Sequence, residues 1–260
     1  MKFSVCIKQV PDVTAPIQIK DGQLTQDTNR LVLDAYSASA VEESLVLTEK
    51  HGGDVEVVSV GPDKVKETIR KALAMGAGSA VHIQTETEES FDSATYAKVL
   101  AAYYKDAEYD VIAVGKQSQD SDAGLTGSML AAHLDLPYAT NAVGLEYDAD
   151  AKKLTVTRQG DSGQEIIELP VPCLVSCSND MNDPRIPSLK GIMKSKKKPV
   201  DVKSLSDLGL DESELKSAMK TEVLGYEELP EREPGEKFDG EPEEQVLKLI
   251  EKFKNEAGVL

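Results

Sequence analysis

The chain has 260 residues, 40% of them hydrophobic and 29% charged, a balance suited to a soluble protein with a sizeable core. Its 46 acidic residues outweigh 29 basic ones for a net charge of −17, which argues against nucleic acid as a partner because phosphate backbones need positive surface. No apolar run approaches the roughly 18 residues of a membrane span, so membrane insertion is not expected.

The first strand pattern covers residues 2–8, and Lys8 interrupts it too early for a signal peptide. Short runs rich in β-branched residues recur at 54–60, 79–83, 110–115 and 172–177, as in strands buried on both faces. Between them lie helical patterns at 37–50, 63–75, 93–104 and 122–134. This alternation predicts an α/β fold: a five-stranded parallel core with helices on both faces. Residues 143–147, 154–158 and 165–169 predict a small antiparallel meander, about 143–169, inserted before the last core strand. Cys6, Cys173 and Cys177 sit in apolar runs without CxxC spacing, and His51, His82 and His133 are scattered. Buried thiols, no metal site and a bacterial cytoplasmic setting are the expectation.

Ligands of open α/β folds bind beyond the carboxyl ends of the strands. There the sequence places Gly115-Lys116-Gln117-Ser118-Gln119-Asp120-Ser121-Asp122-Ala123-Gly124-Leu125-Thr126, running into a helix whose first N–H groups suit a phosphate. The spacing is neither Walker A nor GxGxxG. Asp120 and Asp122 read most simply as caps of that helix, although turned inward they would repel phosphate. No nucleophile–base pair, paired carboxylates or metal triad appears, so a binding protein fits better than an enzyme.

A lysine-rich segment then stands out in so acidic a chain: Pro184-Arg185-Ile186-Pro187-Ser188-Leu189-Lys190-Gly191-Ile192-Met193-Lys194, continuing into Lys196-Lys197-Lys198. The two prolines stiffen it, and Leu189, Ile192 and Met193 offer apolar anchors inside a positive collar. Residues 1–200 read as the nucleotide-binding domain and 201–260 as an acid-rich extended arm ending in a helix at 243–257. That helix carries Val246, Leu249, Ile250 and Phe253 on one face, a stripe suited to wrapping another chain.

Taken together, Val5-Cys6-Ile7-Lys8-Gln9-Val10, Ala40-Val41-Glu42-Glu43, the stretch from Glu67 to Ala77, the Gly115–Thr126 loop and the Pro184–Lys194 segment resemble the β subunit of electron transfer flavoprotein. The resemblance covers nearly the whole chain and implies a Rossmann-like, adenine-nucleotide-hydrolase-like fold. It implies an electron carrier without catalytic residues of its own, paired with an α subunit that holds most of one FAD. This chain would supply an AMP site formed by Cys6, Asp34, Ala35, Tyr36, Ser37, Val60 and the loop from Gly115 to Thr126. The Pro184–Lys194 loop, with Leu189 at its tip, would dock acyl-CoA and related dehydrogenases. Their electrons would pass on through an electron transfer flavoprotein–quinone oxidoreductase or an equivalent acceptor to the respiratory chain. The alternative is a bifurcating carrier that oxidises NADH and holds a second FAD in place of AMP. Gly124-Leu125 stands where AMP-type members carry Asn-Gln, whereas Thr126 favours the AMP type. Asp34-Ala35 replaces the usual Asn-Pro, and Val13 stands where an aromatic near the flavin is common.

Overall fold

Strands form where β-branched residues cluster: Val55, Val57 and Val58 in one segment, and Val111, Ile112 and Val114 in another, are all buried. A computed structural model describes residues 1–15, 18–25, 30–87, 91–230 and 234–259. In chain order these contain β1 (Lys2–Cys6), β2 (Gln9–Pro11), β3 (Gln18–Lys20), β4 (Gln23–Thr25), β5 (Leu31–Leu33), α1 (Ala35–His51), β6 (Asp54–Gly61) and α2 (Lys66–Met75). There follow β7 (Ser79–Gln84), α3 (Ser93–Tyr104), β8 (Val111–Gly115), α4 (Thr126–Leu134), β9 (Tyr138–Asp148), β10 (Lys153–Gly160) and β11 (Gly163–Pro170). The remainder is β12 (Cys173–Cys177), α5 (Leu189–Ser195), β13 (Val200–Ser204), α6 (Glu212–Ser217) and α7 (Pro242–Lys252), the last extended by a wide turn at Phe253–Ala257.

The main sheet has nine strands in the order β11-β10-β9-β12-β8-β1-β6-β7-β13. The five strands legible in the sequence are its contiguous centre, β12-β8-β1-β6-β7, and every neighbouring pair among them is parallel. The meander continues this sheet. β9 pairs in parallel with β12 through its first half and antiparallel with β10 through its second. One apolar layer joins α1 and α2 to the sheet through Val41, Leu45, Ile69 and Leu73; the other joins α3 and α4 through Leu100, Tyr104 and Leu130.

Two expectations are corrected. Residues 201–204 do not open the arm: they form β13, parallel to β7, and Leu205 and Leu215 behind it are buried in the α3 layer. An edge strand in which Val200 and Val202 alternate with Asp201 and Lys203 was hidden by the acid-rich composition around it. The helix expected from 122 begins at Thr126. Asp122 is left-handed (φ 52°), and residues 118–123 close a turn instead, with Asp122 N donating to Ser118 O at 2.8 Å and Ser118 N to Ala123 O at 3.1 Å.

Beyond α6 the character changes. Val223, Leu224 and Leu229 are exposed, and α7 has no buried residue: Val246, Leu249 and Phe253 all face water. Residues 231–233 and 260 of the expected arm lie outside the described residues.

Candidate functional site

The chain order reverses at β1. β6 and β7 lie on one side of it and β8 and β12 on the other, so a crevice opens where the strands β1 and β8 end. Cys6 ends β1, Gly115 ends β8, and Val60 lies one residue from the end of β6; the three sequence-selected positions therefore sit side by side on one edge. Their surroundings are tied together by hydrogen bonds that could not be read from spacing.

Asp34 is the centre of that tying. It is buried and caps α1, accepting from Ser37 N at 2.8 Å and Ser37 Oγ at 3.1 Å through one oxygen. Its other oxygen accepts from Gln119 N at 3.0 Å, while Ala35 N donates to Gln119 Oε1 at 2.7 Å. Burial pushes the Asp34 carboxyl above its ordinary range, against the pull of the hydrogen bonds from Gln119 and Ser37. Gly115 lets the end of β8 approach the first turn of α1: a Cβ there would lie 2.9 Å from Tyr36 Cβ and 3.1 Å from Ser37 N. Tyr36 lies half-buried beside it, its hydroxyl pushed up by burial and then by the charges of Asp122, Asp34 and Asp180.

The two carboxylates of the loop are corrected from their expected role. Neither caps α4, which starts without any side-chain cap. Asp120 pairs with Lys8 Nζ at 2.9 Å through both oxygens, and Asp122 accepts from Gln117 Nε2 at 2.8 Å. Partial burial works to raise the Asp120 pKa, but the Lys8 charge and the bonds from Lys8 and Ser118 outweigh it and hold the carboxyl below the usual range. The Asp120 charge is thus balanced by Lys8 and the Asp122 carboxylate is held by an amide, and the N–H groups at the start of α4 have no side-chain cap. Ala123, Gly124 and Leu125 form the exposed rim before Thr126.

Val60 lines a cleft of about 200 Å³ with Lys8, Asp120, Thr85, Phe91 and Tyr96. Lys8 was missed as a site residue; the available signal was a charged residue placed just past the end of a core strand. Cys6 turns its thiol away from nucleophilic use. Burial pushes it up to about 12, only partly offset by the Tyr104 hydroxyl at 3.3 Å, and that hydroxyl also meets Ser4 Oγ at 2.8 Å. On β7, His82 is fully buried, and because Gly61 O can only accept, its Nε2 carries the proton of their 2.9 Å bond; among the described residues Nδ1 has no partner.

The lysine-rich segment lies elsewhere, over α1 and α2. Ser188 caps α5 by accepting from Gly191 N at 3.1 Å, and Leu189 opens the helix with 77% of its surface exposed. Ile186, Ile192 and Met193 are exposed beside it. Its base is fixed. Arg70 donates to Ser195 O at 2.6 Å, and a Cβ on Gly191 would fall 2.4 Å from Ala74 O, so α5 rests directly on the backbone of α2. The lysine run is not uniformly a collar. Lys198 turns inward and donates to Leu73 O at 2.9 Å, Gly76 O at 3.1 Å and Ala77 O at 2.6 Å, at the C-terminal end of α2. Lys190, Lys194, Lys196 and Lys197 stay exposed.

Among the described residues no helix is long and apolar enough to cross a membrane. A family model described as the electron transfer flavoprotein domain matches residues 21–208. Over 261 aligned positions, covering both chains completely, the sequence is 35% identical to the electron transfer flavoprotein subunit beta of Bacillus subtilis. It is 36% identical over 265 positions to the protein of the same name from Bradyrhizobium diazoefficiens, again with both chains covered completely. The mitochondrial electron transfer flavoprotein subunit beta of Arabidopsis thaliana is 34% identical over 263 positions at the same coverage.

Proposed function

The chain belongs to the electron transfer flavoprotein family, and from that premise we propose that it is the β-type subunit of a heterodimeric electron carrier. An α-type partner holds most of one FAD, and this chain shields the flavin, binds a structural AMP and docks dehydrogenases. FAD, when bound, would supply the electron-carrying chemistry between acyl-CoA and related dehydrogenases and a quinone-reducing oxidoreductase or an equivalent acceptor.

The observation that carries the nucleotide reading is the crevice between β1 and β8, with an uncapped helix start at its rim. The residues there suit a nucleoside monophosphate. Asp120 and Asp122 are held by Lys8 and Gln117, so the phosphate meets N–H groups at Thr126 and beyond rather than free carboxylates. Backbone groups at Cys6 and Val60 read the base. Asp34 and Gln119 keep the loop and the start of α1 in one arrangement, so the site is formed before the ligand arrives. Gly124-Leu125 offers no side-chain donor to the phosphate, and main-chain donors carry the contact alone.

Leu189 on its clamped base supports the docking reading, and the uncovered stripe of α7 supports the α-type partner. Both surfaces are apolar and exposed on a chain whose core is complete without them. The test is to co-purify the chain with its α-type partner, release bound nucleotides by heat and quantify them by chromatography. Equal FAD and AMP is the expected result. Two FADs per heterodimer would replace the AMP reading with the bifurcating one, and FAD alone would mean that the second site is empty.

A further inference from the structure

Arg185 sits inside the docking segment, yet its side chain points away from the exposed tip. It lies between Pro184 and Pro187, whose rings limit the backbone on both sides of it. Its guanidinium spans two turns of α1. Nε meets Glu42 Oε2 at 2.8 Å and NH2 meets Glu42 Oε1 at 3.0 Å, while NH1 and NH2 meet the two oxygens of Glu49 at 2.6 and 3.1 Å. The backbone N of Arg185 donates to Glu42 Oε2 at 3.0 Å as well. Glu42 is nearly buried, and with the Arg185 side chain gone its carboxylate would keep, of the partners named here, the backbone N–H of residue 185 alone. Planar, paired recognition of this kind fixes direction as well as distance, which a lysine cannot reproduce.

The neighbouring clamps hold a different part of the segment. Arg70 and Lys198 fix residues 195–198 against α2, after α5. Arg185 fixes the extended segment entering α5, three residues before Ser188 and four before Leu189. Asn182 ties the start of that segment to Ser39 and Glu43 of α1, so without the Arg185 side chain the stretch between Asn182 and α5 has freedom that docking must remove.

We infer that Arg185 is a positioning residue for partner docking: by gripping Glu42 and Glu49 it holds Leu189 in the orientation that a dehydrogenase pocket receives. This rests on the docking role of Leu189 proposed above. Arg185 touches no cofactor and acts through the loop alone. Its loss raises the concentration of dehydrogenase needed for half-maximal rate and leaves the saturating rate in place.

The experiment uses the assembled heterodimer carrying Arg185→Lys, Arg185→Gln or Glu49→Gln, with Leu189→Ala as the control. Stopped-flow flavin reduction by an acyl-CoA dehydrogenase, itself reduced by its acyl-CoA, is recorded across dehydrogenase concentration. Arg185→Gln is expected to raise the half-saturating concentration about tenfold, the cost of ordering a freed segment on binding. Arg185→Lys should raise it nearly as much, because charge without a planar fork does not restore the geometry. Glu49→Gln, at the solvent end of the clamp, should do so less and tests the idea where removal of Arg185 prevents folding. Thermal stability of each variant is measured in parallel. Variants that melt earlier but keep the wild-type concentration dependence would reduce Arg185 to a structural role and overturn the inference. If Leu189→Ala also leaves the rates unchanged, it is the docking reading that fails, and not the positioning role alone.

Discussion

The docking segment and the C-terminal arm both hold large apolar side chains in water, and they are mounted in opposite ways. Leu189 stands on a short helix whose backbone touches α2 and whose two flanks are gripped by Arg185, Arg70 and Lys198. Val246, Leu249 and Phe253 stand on a helix that buries none of its residues. A preformed tip pays little ordering entropy at each encounter, which suits binding and release in every catalytic cycle. A helix without local backing is stabilised only by what it lies against, which suits a contact made once and kept.

The largest effect should come from breaking the arm. Val246→Asp combined with Leu249→Asp is expected to weaken association with the α-type partner about a hundredfold or more, as measured by calorimetry or size-exclusion titration. The melting temperature of the isolated chain should not move, since neither side chain is buried in it. A drop in that temperature would show that α7 is part of the body after all and erase the contrast.

Next in size is the tip itself. Leu189→Ala should slow dehydrogenase-driven flavin reduction at least about tenfold at subsaturating concentration. Chain stability should stay within about 0.5 kcal/mol, the ordinary range for an exposed side chain. Here the two surfaces separate cleanly: the arm variant loses the partner and its flavin, and the tip variant keeps both.

The smallest effect distinguishes the body from the arm by pH. Burial, helped by Lys66, depresses the pKa of His82 below 6.5, against the opposing influence of Gly61 and Asp63. The sign follows from proton uptake. Above about pH 6.5 both folded and unfolded chains are unprotonated at this ring and it contributes no slope. As pH falls through 6.5 the unfolded chain takes the proton first, so the body loses stability, by at most about 1.4 kcal/mol per pH unit. The arm contains no histidine and should hold its partner unchanged over the same interval. Denaturant unfolding at pH 8 and pH 5.5 measures the loss, and His82→Gln should flatten it; an equal slope in the variant would assign the effect to other groups.

Much of this molecule was legible in its sequence because parallel strands buried on both faces announce themselves. The run Val111–Val114 needs no partner to be recognised, and the strand it forms was placed within a residue. β13 was not legible: an edge strand has one half-exposed face, and its alternation over five residues is too short to stand out from acidic neighbours. At the crevice the elements were legible but the wiring was not. Asp34 and Gln119 are 85 residues apart, and nothing in either neighbourhood says that they meet. The same holds for Glu42 and Arg185, 143 residues apart. Asp122 misled because an aspartate before a helix usually caps it, and here a left-handed backbone and Gln117 took it elsewhere.

The central place of β1 bears on how the chain is made. β1 is synthesised before every strand it pairs with, and it gains β6 on one flank and, some fifty residues of translation later, β8 on the other. On the β8 side the order of synthesis is not the order of the sheet, because β12 follows β9, β10 and β11 in the chain and yet lies between β8 and β9; β13, the last strand of the sheet in chain order, closes the other edge beside β7. Until β8 arrives, Phe3 and Val5 have one open side, so a nascent chain stalled near residue 110 is the form that chaperones should grip most tightly.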